Sequence, residues 1–269
     1  GTLSADEGAR REAAAAGLPF KWFTNIVGKS SYVFNPLAQS HLHRLTTDQL
    51  TQGILQALEL EHGEGYGRGH FTALNDVVLG MCAGALRRYL IEHDGLPEAA
   101  LSAMVPISTR TPDKIDAAGN AVGAIVCNLG TDLADPGERL RRISESMSSG
   151  KDVFKTVSPL AALAWSGATM SPLLATRFPF GSLVPQSFNT IVSNVPGPRE
   201  ERYWNGARLA GLYPVSIVAD GQAVNITLTN TAGTLDFGII GCRKSVPHLQ
   251  RLLTHLETSL AELEEFYGV

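Results

Sequence analysis

A general base for acyl or proton transfer is most often a histidine held in place by a second polar group. This 269-residue chain offers seven: His41, His43, His62, His70, His93, His248 and His255. His41 and His43 come nearest to a motif, in the run HLHRLTTD, where Asp48 follows His43 by five residues. His62, His70 and His93 fall in or beside expected loops, and His248 and His255 on the expected last helix. None has an evident orienting partner in the sequence, so solvated or capping histidines account for them. There is no GxSxG nucleophile elbow, no P-loop and no HExxH. Ser193 and Ser216 have no base nearby in sequence. Cys82, Cys127 and Cys242 lie far apart, without CxxC or Cys/His ligand spacing. They read as small buried side chains in a reducing compartment, and no metal site is expected.

The composition narrows the classes further. At 44% hydrophobic and 18% charged residues the chain can bury a full core. A net charge of −4 argues against nucleic-acid binding, which requires a basic stripe to displace counterions. Residues 1–16 are polar and Ala-rich, without the apolar region of a secretory signal, which points to the cytoplasm. Between Lys155 and Arg199 the only charge is Arg177, so residues 156–176 form an uncharged run. The length approaches the roughly 20 residues of a membrane span. Pro159, Pro172 and several Ser and Thr make it a poor span. A buried helix is expected there, with a lipid-contacting segment as the alternative and peripheral seating at a membrane or lipid droplet as its consequence.

The elements that must position any site follow from periodicity and caps. Residues 46–61 place Leu50, Ile54 and Leu58 on one helical face. The glycine-rich run HGEGYGRGH, residues 62–70, marks the most evident boundary. The division is therefore a linker and crossover segment, 1–70, and a domain, 71–269. Asn75 is well suited to N-cap a helix carrying Val78, Met81, Cys82, Ala85, Leu86 and Tyr89, with Asp76 in its first turn favoured by the helix dipole. Gly95 and Pro97 end it. Residues 101–108 and 121–129 read as buried strands flanking a polar loop. Asp135-Pro136-Gly137-Glu138 starts a helix buried along Leu140, Ile143 and Met147. Residues 187–195 read as a strand stopped by Pro196-Gly197-Pro198. AVNITLTN and TLDFGII alternate apolar and polar residues and form an antiparallel hairpin with one wet or partner-facing side. A last amphipathic helix runs from Val246 to about Phe266. The fold class is α/β (α+β), a two-layer mixed sheet with helices on one face.

Eight short motifs occur in order: LNDVVLGMCAGALRRYL (74–90), MVPISTR (104–110), GNAVG (119–123), TDLADPGERL (131–140), TIVSNVPGP (190–198), YWNGARL (203–209), YPVSIVADG (213–221) and NITLTN (225–230). The ordered set resembles the C-terminal domain of the wax ester synthase/diacylglycerol acyltransferase family over roughly residues 71–265. That resemblance implies half of a chloramphenicol-acetyltransferase/condensation-domain-like fold. It also implies an O-acyltransferase that moves an acyl group from acyl-CoA, as substrate and with no cofactor, to a fatty alcohol or diacylglycerol. The family's base is the second histidine of an HHxxxDG motif in the N-terminal half, which this sequence lacks. The histidines at 41 and 43 are not adjacent, and no Gly follows Asp48. No catalytic residue is therefore assigned. A separate or missing catalytic half, or self-association of the exposed lobe, is expected.

The resemblance also marks candidates for the substrate tunnel. Asn75 and Asp76 match an Asn-Asp motif associated with activity, helix capping being the alternative for Asn75. Asn194, with Pro196 and Gly197, matches a motif near the acyl-CoA tunnel, a strand-ending turn being the alternative. Asp220 fits a turn or the site, Asn225 faces the polar side of its strand and could line a channel, and Arg110 could meet a CoA phosphate, an exposed loop arginine being the alternative. The competing functions are a non-catalytic acyl-CoA or lipid-binding module and an interaction subunit.

Overall fold

The computed structural model describes residues 31–33, 70–108, 122–156, 161, 164–169, 171, 186–198, 200–218, 222–231 and 234–268. In chain order the elements are β1 (Ser31–Val33), α1 (His70–Glu92), β2 (Ser102–Ser108), β3 (Val122–Asn128), α2 (Pro136–Thr156) and β4 (Thr190–Pro196). They continue with β5 (Tyr203–Trp204), β6 (Ala207–Arg208), β7 (Val224–Thr231), β8 (Thr234–Cys242) and α3 (Arg251–Tyr267).

Six strands form one mixed sheet in the order β1-β8-β7-β4-β2-β3, and β5 and β6 form a separate two-stranded ribbon. The centre of the sheet is parallel: β4 pairs in parallel with both β2 and β7. The flanks are antiparallel, through β2–β3, β7–β8 and the edge pair β8–β1. Strand β1 comes from the segment read as linker and crossover. The expected hairpin is therefore real, with Ile226 facing Ile239 and Leu228 facing Phe237 across it.

Helices α1, α2 and α3 lie on one face. Ala103, Val105, Ile125, Cys127, Val192, Ile226, Leu228, Phe237 and Ile239 point from the sheet into a core shared with the helices. The side chains of α2 that close this core are Leu140, Ile143 and Met147, all fully buried. Asp135 caps α2: its Oδ1 accepts the Glu138 N–H at 2.8 Å. Helix α1 lies between α2 and α3 and is buried almost all round, Leu74 to Leu86. A helix so enclosed is apolar on every side rather than amphipathic. Helix α3 begins at Arg251 rather than Val246, with Val246 and Leu249 already buried in the turns before it.

Candidate functional site

The parallel centre of the sheet gives β2, β4 and β7 a common carboxyl end, the position where open α/β sheets bind ligands. Asn194 lies toward that end of β4 and faces the helices, like Val192 two residues earlier. Its Nδ2 donates to Oδ1 of Asn75 at 2.8 Å. Its own Oδ1 is buried and has no hydrogen-bond partner. At the same end Thr231 presents a buried Oγ1 that is likewise unpartnered.

Beyond Asn194 the chain leaves β4 through Pro196 and Gly197. A side chain at Gly197 would place its Cβ 2.2 Å from the Asn230 carbonyl oxygen, so only glycine allows this approach of the chain to β7. Asn75, Asn194, Pro196 and Gly197 thus come together at one end of the sheet.

This arrangement corrects the reading of Asn75 as a helix cap. Helix α1 starts at His70, so Asn75 lies inside it, and the first turn holds no acidic residue. Asp76 is therefore not placed against the helix dipole. It is 1% exposed and accepts the Ser144 hydroxyl from α2 at 2.8 Å. The Asn-Asp dipeptide ties α1 in two directions, Asn75 to the sheet and Asp76 to the neighbouring helix.

Asn225 sits at the opposite end of β7, on the face away from the helices, and its Oδ1 accepts the Thr227 hydroxyl at 2.8 Å. The expectation of a wet polar side fails here, because Asn225, Thr227, Thr229 and Asp236 are all buried. Part of the cover is a stretch within 209–218 that belongs to no helix or strand. The Leu212 N–H donates to Oδ2 of Asp236 at 2.8 Å, and the Pro214 carbonyl oxygen would lie 1.8 Å from a Cβ at Gly238. Burial, and then the Asp236 carboxylate, push the Tyr213 phenol well above its ordinary range. An alternating strand reports which residues share a face, but not what another segment lays over that face.

Of the other candidates, Arg110 and Asp220 lie outside the described residues, as do His41, His43 and Asp48. His93, just after α1, and His255 on α3 belong to the helix layer, whereas exposed His248 lies in the turn before α3 rather than on it. His93 stacks on Tyr89, with Nδ1 2.8 Å from the Tyr89 carbonyl oxygen. His255 does have an orienting carboxylate that the sequence did not reveal: its Nε2 lies 3.1 Å from Oε2 of Glu92. A hydrogen bond from Arg251, and then one from His255, hold Glu92 below the ordinary carboxylate range.

Within the uncharged run 156–176, residues 164–169 are helical. Trp165 there is 57% exposed and Ser166 Oγ accepts the Ala124 N–H of β3 at 3.3 Å. The expected buried helix is therefore not found at its described positions, most of which face outward. No described helix is long and apolar enough to cross a membrane. Among the described residues no group of three His, Cys, Asp or Glu side chains converges on a possible metal site.

Sequence reasoning also missed the ribbon β5–β6. Its Asn205-Gly206 turn has φ of 51° and 81°, the left-handed pair of a tight hairpin, and an Asn-Gly dipeptide is its usual signal. Trp204 beside that turn is 85% exposed.

Residues 118–264 match the WS/DGAT C-terminal domain. The chain is 54% identical over 199 residues to a Mycobacterium tuberculosis protein named probable diacylglycerol O-acyltransferase, covering 74% of this chain and 44% of that one. It is 43% identical over 216 residues to the O-acyltransferase WSD of Acinetobacter baylyi, covering 80% and 46%. Among solved structures, it resembles the wax ester synthase/diacylglycerol acyltransferase of Marinobacter aquaeolei VT8, with 31% identity and a TM-score of 0.65 over 100% of this chain and 58% of that one. The chain spans less than half the length of the two curated relatives.

Proposed function

Because this chain belongs to the wax ester synthase/diacylglycerol acyltransferase family, as a member of its C-terminal domain, we propose that it is the tunnel-shaping part of an O-acyltransferase. The observation that carries this reading is the 54% identity over 199 residues to a protein named for that activity. The reaction would pass an acyl group from acyl-CoA to the hydroxyl of a fatty alcohol or diacylglycerol, giving a wax ester or triacylglycerol. The acceptor oxygen attacks the thioester carbonyl, a base takes its proton, and the CoA thiolate leaves. In this reading the base is the HHxxxDG histidine of an N-terminal half, and acyl-CoA is a substrate, no cofactor being required.

The face of the sheet away from the helices supports a second half. Val122, Val126 and Val195 are exposed there, beside a small apolar cluster of Met104, Ala124, Phe188 and Ile191. Covering this surface is favourable by about 25 cal/mol per Å² of apolar area. The histidine-bearing half is its proposed occupant, and self-association is the outcome when that half is absent. The exposed Trp165 and Trp204 fit peripheral seating at a membrane or lipid-droplet surface, on the cytoplasmic side.

An acyltransferase assay tests the reading. Long-chain acyl-CoA is offered with hexadecanol or diacylglycerol, and thiol release is followed with and without a co-expressed HHxxxDG-bearing half. Turnover only with the added half is expected. Saturable acyl-CoA binding without turnover in either case would replace the reading with a non-catalytic acyl-CoA or lipid-binding module.

A further inference from the structure

We infer that Asn205 is a modification site: its side-chain amide is lost through a cyclic imide with the Gly206 backbone nitrogen, at a rate set by opening of the β5–β6 ribbon. The dipeptide Asn-Gly occurs once in the chain. Glycine matters at the second position because the attacking atom is its own backbone nitrogen, and a Cβ beside that nitrogen hinders the approach. A Cβ built at Gly206 meets nothing within 4 Å, so the imide ring has room to form. Residues 200–210 are exposed throughout, so water reaches both partners.

The closed turn holds the reaction back. With φ of 51° at Asn205 and 81° at Gly206, the backbone is set as a tight hairpin. It must rotate to bring the Gly206 nitrogen onto Cγ of Asn205. What resists that rotation is slight. Each strand has two residues, paired Tyr203 with Arg208 and Trp204 with Ala207. A lone two-stranded hairpin is marginally stable in water, and an exposed one opens locally without the rest of the fold. Glu201 is its chief tie, accepting the Tyr203 hydroxyl at 2.7 Å and the Arg208 guanidinium at 3.2 Å.

The step balances with water as the only co-reactant. The Gly206 N–H gives its proton to hydroxide and the N–Cγ bond forms. The Cγ–Nδ2 bond then breaks, and ammonia leaves with a proton from water. Water opens the imide at either carbonyl. Opening at Cγ leaves an aspartyl residue at position 205, whereas opening at the backbone carbonyl leaves an isoaspartyl residue. The net change converts one amide and one water into a carboxylate and ammonium. The isoaspartyl product runs its main chain through an extra carbon, so the two-residue turn no longer closes and Trp204 loses its register with Ala207.

The test incubates the 269-residue chain at pH 8 and maps its peptides by mass spectrometry, with chromatography separating aspartyl from isoaspartyl products. Position 205 is expected to convert faster than any other asparagine. Gly206→Ala should bring it down to the rate of the others even if the ribbon opens, because the Cβ hinders attack in an open chain as well. Glu201→Ala should raise the rate about two- to fivefold, as loss of an exposed ion pair allows, with Tm unchanged. An unchanged rate in Glu201→Ala would overturn ribbon opening as the controlling step. Conversion at position 205 no faster than at the other asparagines would overturn the site itself.

Discussion

The amide of Asn194 on β4 donates to the side-chain oxygen of Asn75 on α1 at 2.8 Å, across 119 residues of sequence. This contact ties the amino-terminal part of the central helix to the middle strand of the sheet. A double-mutant cycle of Asn75→Ala and Asn194→Ala, read by urea unfolding, should give a coupling of about 1 kcal/mol. Additive effects would mean that the pair does not hold together in solution.

Asp76 makes the companion tie, accepting the Ser144 hydroxyl while 1% exposed. Hydrogen bonds to charged groups contribute about 1.5–3 kcal/mol, so Asp76→Ala should lower unfolding stability by about that much. Ser144→Ala should also be destabilising, because it leaves a buried carboxylate short of a donor.

Gly197 and Gly167 should respond to alanine with opposite signs. At Gly197 the new Cβ would meet the Asn230 oxygen at 2.2 Å and Thr229 Cγ2 at 2.7 Å, an overpacking that costs about 1–3 kcal/mol. At Gly167, helical and with nothing within 4 Å, alanine should stabilise by about 0.5–1 kcal/mol. Thermal unfolding of the two variants checks the order.

The thiols should react at separate rates. Burial pushes Cys82 and Cys127 up to about 12, whereas hydrogen bonds from Ser245, and then from Lys244, hold half-buried Cys242 below its ordinary value. Ellman's reagent at pH 8 should label Cys242 rapidly and the other two only after unfolding. The raised pair also makes stability depend on pH. Their contribution is complete below the unfolded thiol value of about 8.5 and is lost as pH rises from there toward 12. Equal labelling of all three thiols in the folded protein would contradict their placement.

Glu262 joins three helices, pairing with Arg88 of α1 and lying 3.8 Å from the buried Arg139 of α2. Burial draws the Arg139 guanidinium down, and the Glu262 carboxylate opposes this. Glu262→Ala should cost about 2 kcal/mol, between an exposed pair and a buried one. Glu201, which pairs with Arg208 on the exposed ribbon, should be replaceable by Ala without a change in Tm.

The sequence by itself determined much of this protein. Eight ordered motifs carried the family. Local chemistry placed β2 and β3, the Asp135 cap of α2 and the β7–β8 hairpin, because periods of two and 3.6 residues and a capping oxygen act within a few residues of one another. Tertiary structure decided the rest. Asn75 had the chemistry of a cap, and only the helix's start at His70 turned it toward Asn194. The polar residues of β7 alternated as a wet face would, yet they are buried, and the chain passing Asp236 and Gly238 supplies part of the cover. Glu92 and His255 are 163 residues apart, a spacing with no sequence signal. In each case the deciding contact spans a long stretch of chain. Residue order sets which groups are available, and the folded path sets which of them meet.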